Sequence, residues 1–113
     1  EYSVCSFAYL GSGIVVAGTD RHGHVVRSTD YGVTWTDLGI IVADAEYVLS
    51  LTYLGNGIVL AGTNQITSGA WGRVVRSTDY GVTWVDLGIV VSGQINVFSL
   101  ISFTGFIPRV FIF

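Results

Sequence analysis

The feature that most constrains this chain is its internal repetition. Tyr9-Leu-Gly-Ser-Gly-Ile-Val-Val-Ala-Gly-Thr19 returns as Tyr53-Leu-Gly-Asn-Gly-Ile-Val-Leu-Ala-Gly-Thr63, an offset of 53 − 9 = 44 residues. Val25-Val-Arg-Ser-Thr-Asp-Tyr-Gly-Val-Thr-Trp35 returns as Val74 to Trp84, an offset of 84 − 35 = 49. A repeat of this length is one supersecondary unit, which buries its apolar faces against neighbouring units. The two offsets differ by 49 − 44 = 5 residues, which places an insertion between Thr63 and Val74. An insertion confined to one junction marks a surface loop. A third unit opens at Ser102-Phe-Thr-Gly105, matching Thr52-Tyr-Leu-Gly55 at an offset of 102 − 52 = 50, and then departs into Phe106-Ile-Pro-Arg-Val-Phe-Ile-Phe113. The chain holds two full units and a partial third.

Each unit reads as short strands, because Val, Ile, Tyr, Phe, Trp and Thr cluster in runs separated by Gly, Asp, Asn and Ser. No stretch carries helical periodicity. The runs predict strands near 4–10, 13–18, 24–28 and 33–37, then 47–54, 57–62, 73–77 and 82–86, with 97–103 and 109–113 in the partial unit. Gly11-Ser-Gly13 and Gly55-Asn-Gly57 supply the positive-φ residues of tight hairpins. The expected class is all-β, built of antiparallel four-stranded blade repeats of the propeller type. Its divisions are 1–10, a strand opening or completing the first blade; 11–45, the first unit; 46–96, the second; and 97–113, a partial third unit or assembly strand.

Ser28-Thr-Asp-Tyr-Gly-Val-Thr-Trp35 and Ser77-Thr-Asp-Tyr-Gly-Val-Thr-Trp84 carry the most information. Asp30 and Asp79 can accept backbone N–H bonds two residues on, while Gly32 and Gly81 suit a left-handed turn. Ser28, Thr34, Ser77 and Thr83 can close hydroxyl bonds across the hairpin mouth, and Trp35 and Trp84 can cap apolar surface between units. Both octapeptides resemble the Asp-box, the S-x-D-x-G-x-T-W signature of the BNR repeats in sialidases, sortilin-type receptors and xyloglucan-degrading enzymes. All five signature positions match in both copies, and the resemblance spans nearly everything from Tyr9 to Gly88. It implies a β-propeller in which the box is the structural turn between the third and fourth strands of a blade, away from any catalytic centre.

Other residue groups offer weaker chemistry. Asp20-Arg-His-Gly-His24 sets two imidazoles at i and i+2 beside a carboxylate, but the second unit lacks them and nothing supplies a fourth ligand, so no metal is expected. The inserted loop carries Asn64, Gln65, Trp71 and Arg73, an aromatic face among hydrogen-bond donors that would suit contact with a glycan. Arg27 with Asp37, and Arg76 with Asp86, read as diagonal cross-strand ion pairs. Asp44 and Glu46 lie on one short segment, whereas glycoside hydrolysis needs two carboxylates facing across a cleft. The arginine triad, the tyrosine-glutamate pair and the arginine-isoleucine-proline motif of sialidases are also not matched. Neither catalysis nor a cofactor is expected; a fragment of a sialidase-like hydrolase is the least favoured alternative.

Composition narrows the partners. With five Arg, no Lys and a formal net charge of −3, the chain lacks the clustered cations that a nucleic-acid groove requires. Its apolar runs fall far short of the roughly 18 residues of a membrane helix, so no membrane insertion is expected. Cys5 is the one cysteine, which rules out an internal disulfide. A chain that opens on Glu1 and contains no Met reads as a processed product or a fragment. Because a closed propeller needs about four to eight blades, the expected partners are copies of this chain, in a ring or a fibre, or further blades of a parent chain. The terminal Val110, Phe111, Ile112 and Phe113 form the expected assembly strand. By resemblance the module belongs outside the cell or on a cell or virion surface, with glycan binding as its alternative role.

Overall fold

The computed structural model describes residues 3–20, 22–41, 45–65, 72–89, 100–102 and 110–112. It is all-β. Strands β1 (Val4–Gly11), β2 (Ile14–Thr19), β3 (His24–Ser28) and β4 (Thr36–Ile40) form one antiparallel sheet in chain order. Strands β5 (Ala45–Gly55), β6 (Ile58–Gln65), β7 (Arg73–Ser77) and β8 (Val85–Ile89) form a second sheet of the same order, and β9 (Leu100–Ser102) pairs with β10 (Val110–Ile112).

The repeat is carried into the hydrogen-bond register. Val15 faces Ser28 and Val16 faces Arg27 in the first sheet, as Val59 faces Ser77 and Leu60 faces Arg76 in the second. The third unit keeps this register too: Ser102 faces Val110 and Ile101 faces Phe111, fifty residues on from the pairs Thr52 with Leu60 and Leu51 with Ala61. Strands β9 and β10 thus pair with the register that the first two strands of the second sheet use.

The inserted residues leave the ladder undisturbed. Thr19 Oγ1 donates to the carbonyl of His24 across the β2–β3 connection, and Thr63 Oγ1 donates to the carbonyl of Arg73 across the longer one, both at 3.2 Å. The two connections differ in length but share this closure. Strands β4 and β8 begin three residues later than the sequence indicated, at Thr36 and Val85. Their β-branched leaders Val33 and Val82 belong to the preceding turns, where their N–H groups point at the carbonyls of Asp30 and Asp79.

The core lies between the two sheets. Ala8, Leu10, Val16 and Val25 of the first meet Val48, Leu51, Val59, Ala61 and Val75 of the second in one buried cluster. The first sheet thus uses the face of Val16 and Val25. The second answers with its other face, since Val59 and Val75 repeat Val15 and Val26. Stacking unlike faces of like units lets the same contact recur from unit to unit. The far face of the second sheet holds a smaller cluster of Leu60 and Val74, against which Leu54 packs.

Candidate functional site

The two Ser-x-Asp-x-Gly-x-Thr-Trp turns are the best-defined polar constellations, and each is closed on itself. In the first, Ser28 Oγ donates to Asp30 Oδ1 at 2.7 Å and accepts the N–H groups of Asp30 (3.2 Å) and Gly32 (2.8 Å). Asp30 Oδ1 also accepts the Thr34 N–H at 2.8 Å, while Oδ2 takes the Thr34 hydroxyl. Trp35 Nε1 donates to the carbonyl of Gly32 at 2.9 Å. Ser77, Asp79, Gly81, Thr83 and Trp84 repeat every one of these bonds. The carboxylate thus reaches four residues on, and the serine hydroxyl takes the nearer amide; the expected two-residue reach belongs to neither aspartate.

These donors hold both acids in their charged form. The Thr34 hydroxyl, then the Thr34 N–H and the Ser28 hydroxyl, bring the Asp30 pKa down to about 2. The Thr83 hydroxyl leads the same set at Asp79, which also falls to about 2. Strongly shifted carboxylates can mark catalytic acids. Here the shift favours the ionised form and every donor lies within the turn, so the perturbation belongs to turn closure.

The turns also make the contact between blades. Arg27 Nε donates to the carbonyl of Tyr80 at 2.9 Å, tying β3 to the turn of the second blade. A Cβ on Gly81 would stand 2.7 Å from Val16 Cγ1, whereas one on Gly32 would meet nothing nearer than Trp35 at 3.5 Å. Trp84 packs on the inter-blade core, while Trp35 remains 39% exposed beside Phe7, their ring centroids 6.4 Å apart. On the inner side Ser6 Oγ donates to the carbonyl of Val48 at 3.1 Å, and a Cβ on Gly18 would lie 2.5 Å from Val48 Cγ1. The sequence carried no signal for Arg27, Ser6 or Gly18 as contact residues, because each depends on how one blade lies on the next.

The ion pairs differ from those expected. Asp37 accepts from His24 Nδ1 at 3.0 Å, and Asp86 takes Arg73 Nη1 at 2.9 Å. Asp37 faces Val26 in the ladder and Arg27 faces Thr36, so Arg27 and Asp37 leave opposite faces of the sheet. The same parity separates Arg76 from Asp86. The Asp37 pKa is lowered, first by the Gly39 N–H and then by His24. His24 is therefore engaged by a carboxylate, and among the described residues no three His, Cys, Asp or Glu side chains gather as a metal group.

Of the glycan candidates, Arg73 is bound to Asp86 and Asn64 is half-buried. Gln65 ends β6, its side chain lying outside the description, and Trp71 falls outside the described residues altogether. Asp44, Glu1 and Phe113 also lie outside them; Val110, Phe111 and Ile112 form β10. A hollow of about 130 Å³ bounded by Arg27, Thr29, Thr34, Thr36, Leu38 and Val82 opens at the blade junction, and one of about 220 Å³ lies at Arg76, Thr78, Thr83, Val85 and Leu87. Both are smaller than the roughly 300–1,000 Å³ of drug-sized ligand pockets.

No family model matches this sequence, and no curated protein matches it. A solved structure, described as YCF48 bound to D1 peptide, is similar over 76% of this chain and 26% of that one, with 20% identity and a TM-score of 0.51. That neighbour is a β-propeller protein. The likeness and the two stacked four-stranded sheets establish a β-propeller blade fold. The chain spans about a quarter of the neighbour's length.

Proposed function

We propose that this chain is a non-catalytic structural module of the Asp-box type, displayed outside the cell or on a cell or virion surface, whose work is to build a larger β-propeller-like assembly from copies of itself. The observation that carries this reading is an open blade face. Val4 and Phe7 of β1 are 50% and 61% exposed, while their repeat counterparts Val48 and Leu51 in β5 are 0% and 8% exposed under the first blade. A surface built to be buried in one unit stands uncovered in the other, and contiguous exposed apolar surface of that kind marks association. Support for a non-catalytic role comes from the two boxes, whose serine, aspartate and threonine groups are committed to their own turns. Placement at a surface rests on the resemblance to Asp-box repeats.

Sedimentation velocity across a concentration series, with negative-stain electron microscopy of the same samples, tests the reading. Closed rings or filaments are the expected particles. A folded monomer at every concentration overturns it.

A further inference from the structure

The uncovered face of the first blade has a counterpart whose cover is visible. Val48, Leu51 and Tyr53 of β5 repeat Val4, Phe7 and Tyr9 of β1. Strand β5 lies across β1 and β2 of the preceding blade and meets β3 only at its margin. What buries most of this kind of face is the first two strands of a blade, with Val25 of β3 at its edge. Strands β9 and β10 are such a pair: they keep the backbone register of β5 and β6, and β9 lies on β5 much as β5 lies on β1. Among the described residues, the β9–β10 pair and the uncovered face lie on opposite sides of the two four-stranded sheets.

We propose that the open face of the first blade, centred on Val4, Phe7 and Tyr9, docks on the β9–β10 hairpin of a second copy of this chain, head to tail. The proposal rests on the assembly reading above and names its two surfaces. Because the surfaces are different, the contact is heterologous, and it propagates until it closes as a ring or runs on as a filament. It also covers the most exposed apolar side chains of β1 with the same class of surface that covers their counterparts. The match has one adjustment: Ile112 occupies the backbone position of Gly18, where even a Cβ would stand 2.5 Å from the valine of the next strand, so Val4 of the incoming copy stands farther off than Val48 does.

Two measurements on the full chain decide it. Phe7→Glu places a charge on the docking face at a side chain that is 61% exposed, so at concentrations where both chains are monomeric its circular dichroism and melting temperature should match the parent's. Its association midpoint in sedimentation should rise about ten-fold or more. In the second, Val4→Cys and Ile112→Cys are made separately in a Cys5→Ser background and mixed under mild oxidation. A disulfide-linked dimer should form in the mixture well above its level in either variant alone. A parent that associates while Phe7→Glu associates equally, with no enrichment of the mixed disulfide, overturns this interface and leaves assembly standing by another surface. A parent that stays monomeric at every concentration overturns both.

Discussion

Arg27 Nε lies 2.9 Å from the carbonyl oxygen of Tyr80, a side chain of the first blade reaching a backbone acceptor in the turn of the second. Tyr80 has φ of 59° and Gly81 of 83°, so two successive left-handed residues present that carbonyl outward. The turn's self-closed bonds fix the acceptor, and the donor comes from a strand of the neighbouring blade. One charge-assisted bond therefore links local turn chemistry to blade stacking.

Replacing Arg27 by Ala should destabilise the chain by about 1–3 kcal/mol, the usual cost of losing a hydrogen bond from a charged donor. Urea unfolding of the variant and its parent measures this. An unchanged midpoint would show that the blades hold their relation without the bond.

The glycines of the two turns, Gly32 and Gly81, differ in their surroundings, and that difference is measurable. Gly32 and Gly81 both have positive φ, 86° and 83°, so alanine at either is opposed by about 1–2 kcal/mol of backbone strain. At Gly81 the new methyl would also stand 2.7 Å from Val16 Cγ1, within a packed core, adding about 1–3 kcal/mol of overpacking. Gly81→Ala should therefore be clearly the more destabilising in thermal unfolding. Equal losses would mean that the blades separate easily enough to admit the methyl.

Acid should loosen the turns within a defined window. Asp30 and Asp79 titrate near 2 in the folded chain against an ordinary value of 3.8. A depressed folded pKa gives stability that is present above the unfolded value and is lost as pH falls through the folded one. Stability should decline between about pH 4 and pH 2, and Asp30→Asn with Asp79→Asn should flatten that part of the profile while lowering stability at neutral pH. Unfolding midpoints at stepped pH give the test; an unflattened profile would move the acid sensitivity to other carboxylates.

What the sequence disclosed follows from what repeats in it. The strand order within each blade and the hairpins at Gly11-Ser-Gly13 and Gly55-Asn-Gly57 were legible because each is local and occurs more than once. Val33 and Val82 misled, since β-branched residues favour strands, yet the aspartate and tryptophan bonds on either side hold them in a turn. The ion partners of Asp37 and Asp86 were hidden for another reason. Strand parity decides which residues share a face, and the register irregularities between His24 and Val26, and between Arg73 and Val75, are invisible before pairing is known. The contacts of Gly18, Ser6 and Arg27 depend on tertiary approach alone.

Arg73 lies ten positions after Thr63 and His24 five positions after Thr19, yet the same threonine-to-carbonyl bond closes both connections at 3.2 Å. Arg73 N also donates to Thr63 Oγ1 at 3.1 Å, so the base of the longer loop is pinned from both sides. Deleting residues 66–70 restores the spacing of the first blade and leaves Thr63 and Arg73 at the same closure. Loop-closure entropy changes slowly with length, about 0.6 kcal/mol per doubling, so the shortened chain should fold with a stability within about 1 kcal/mol of the parent. Chemical unfolding and the far-ultraviolet circular dichroism of the deletion variant provide the measurement. A loss of several kcal/mol, or of the β signature, would show that the insertion packs on the blade as part of its fold.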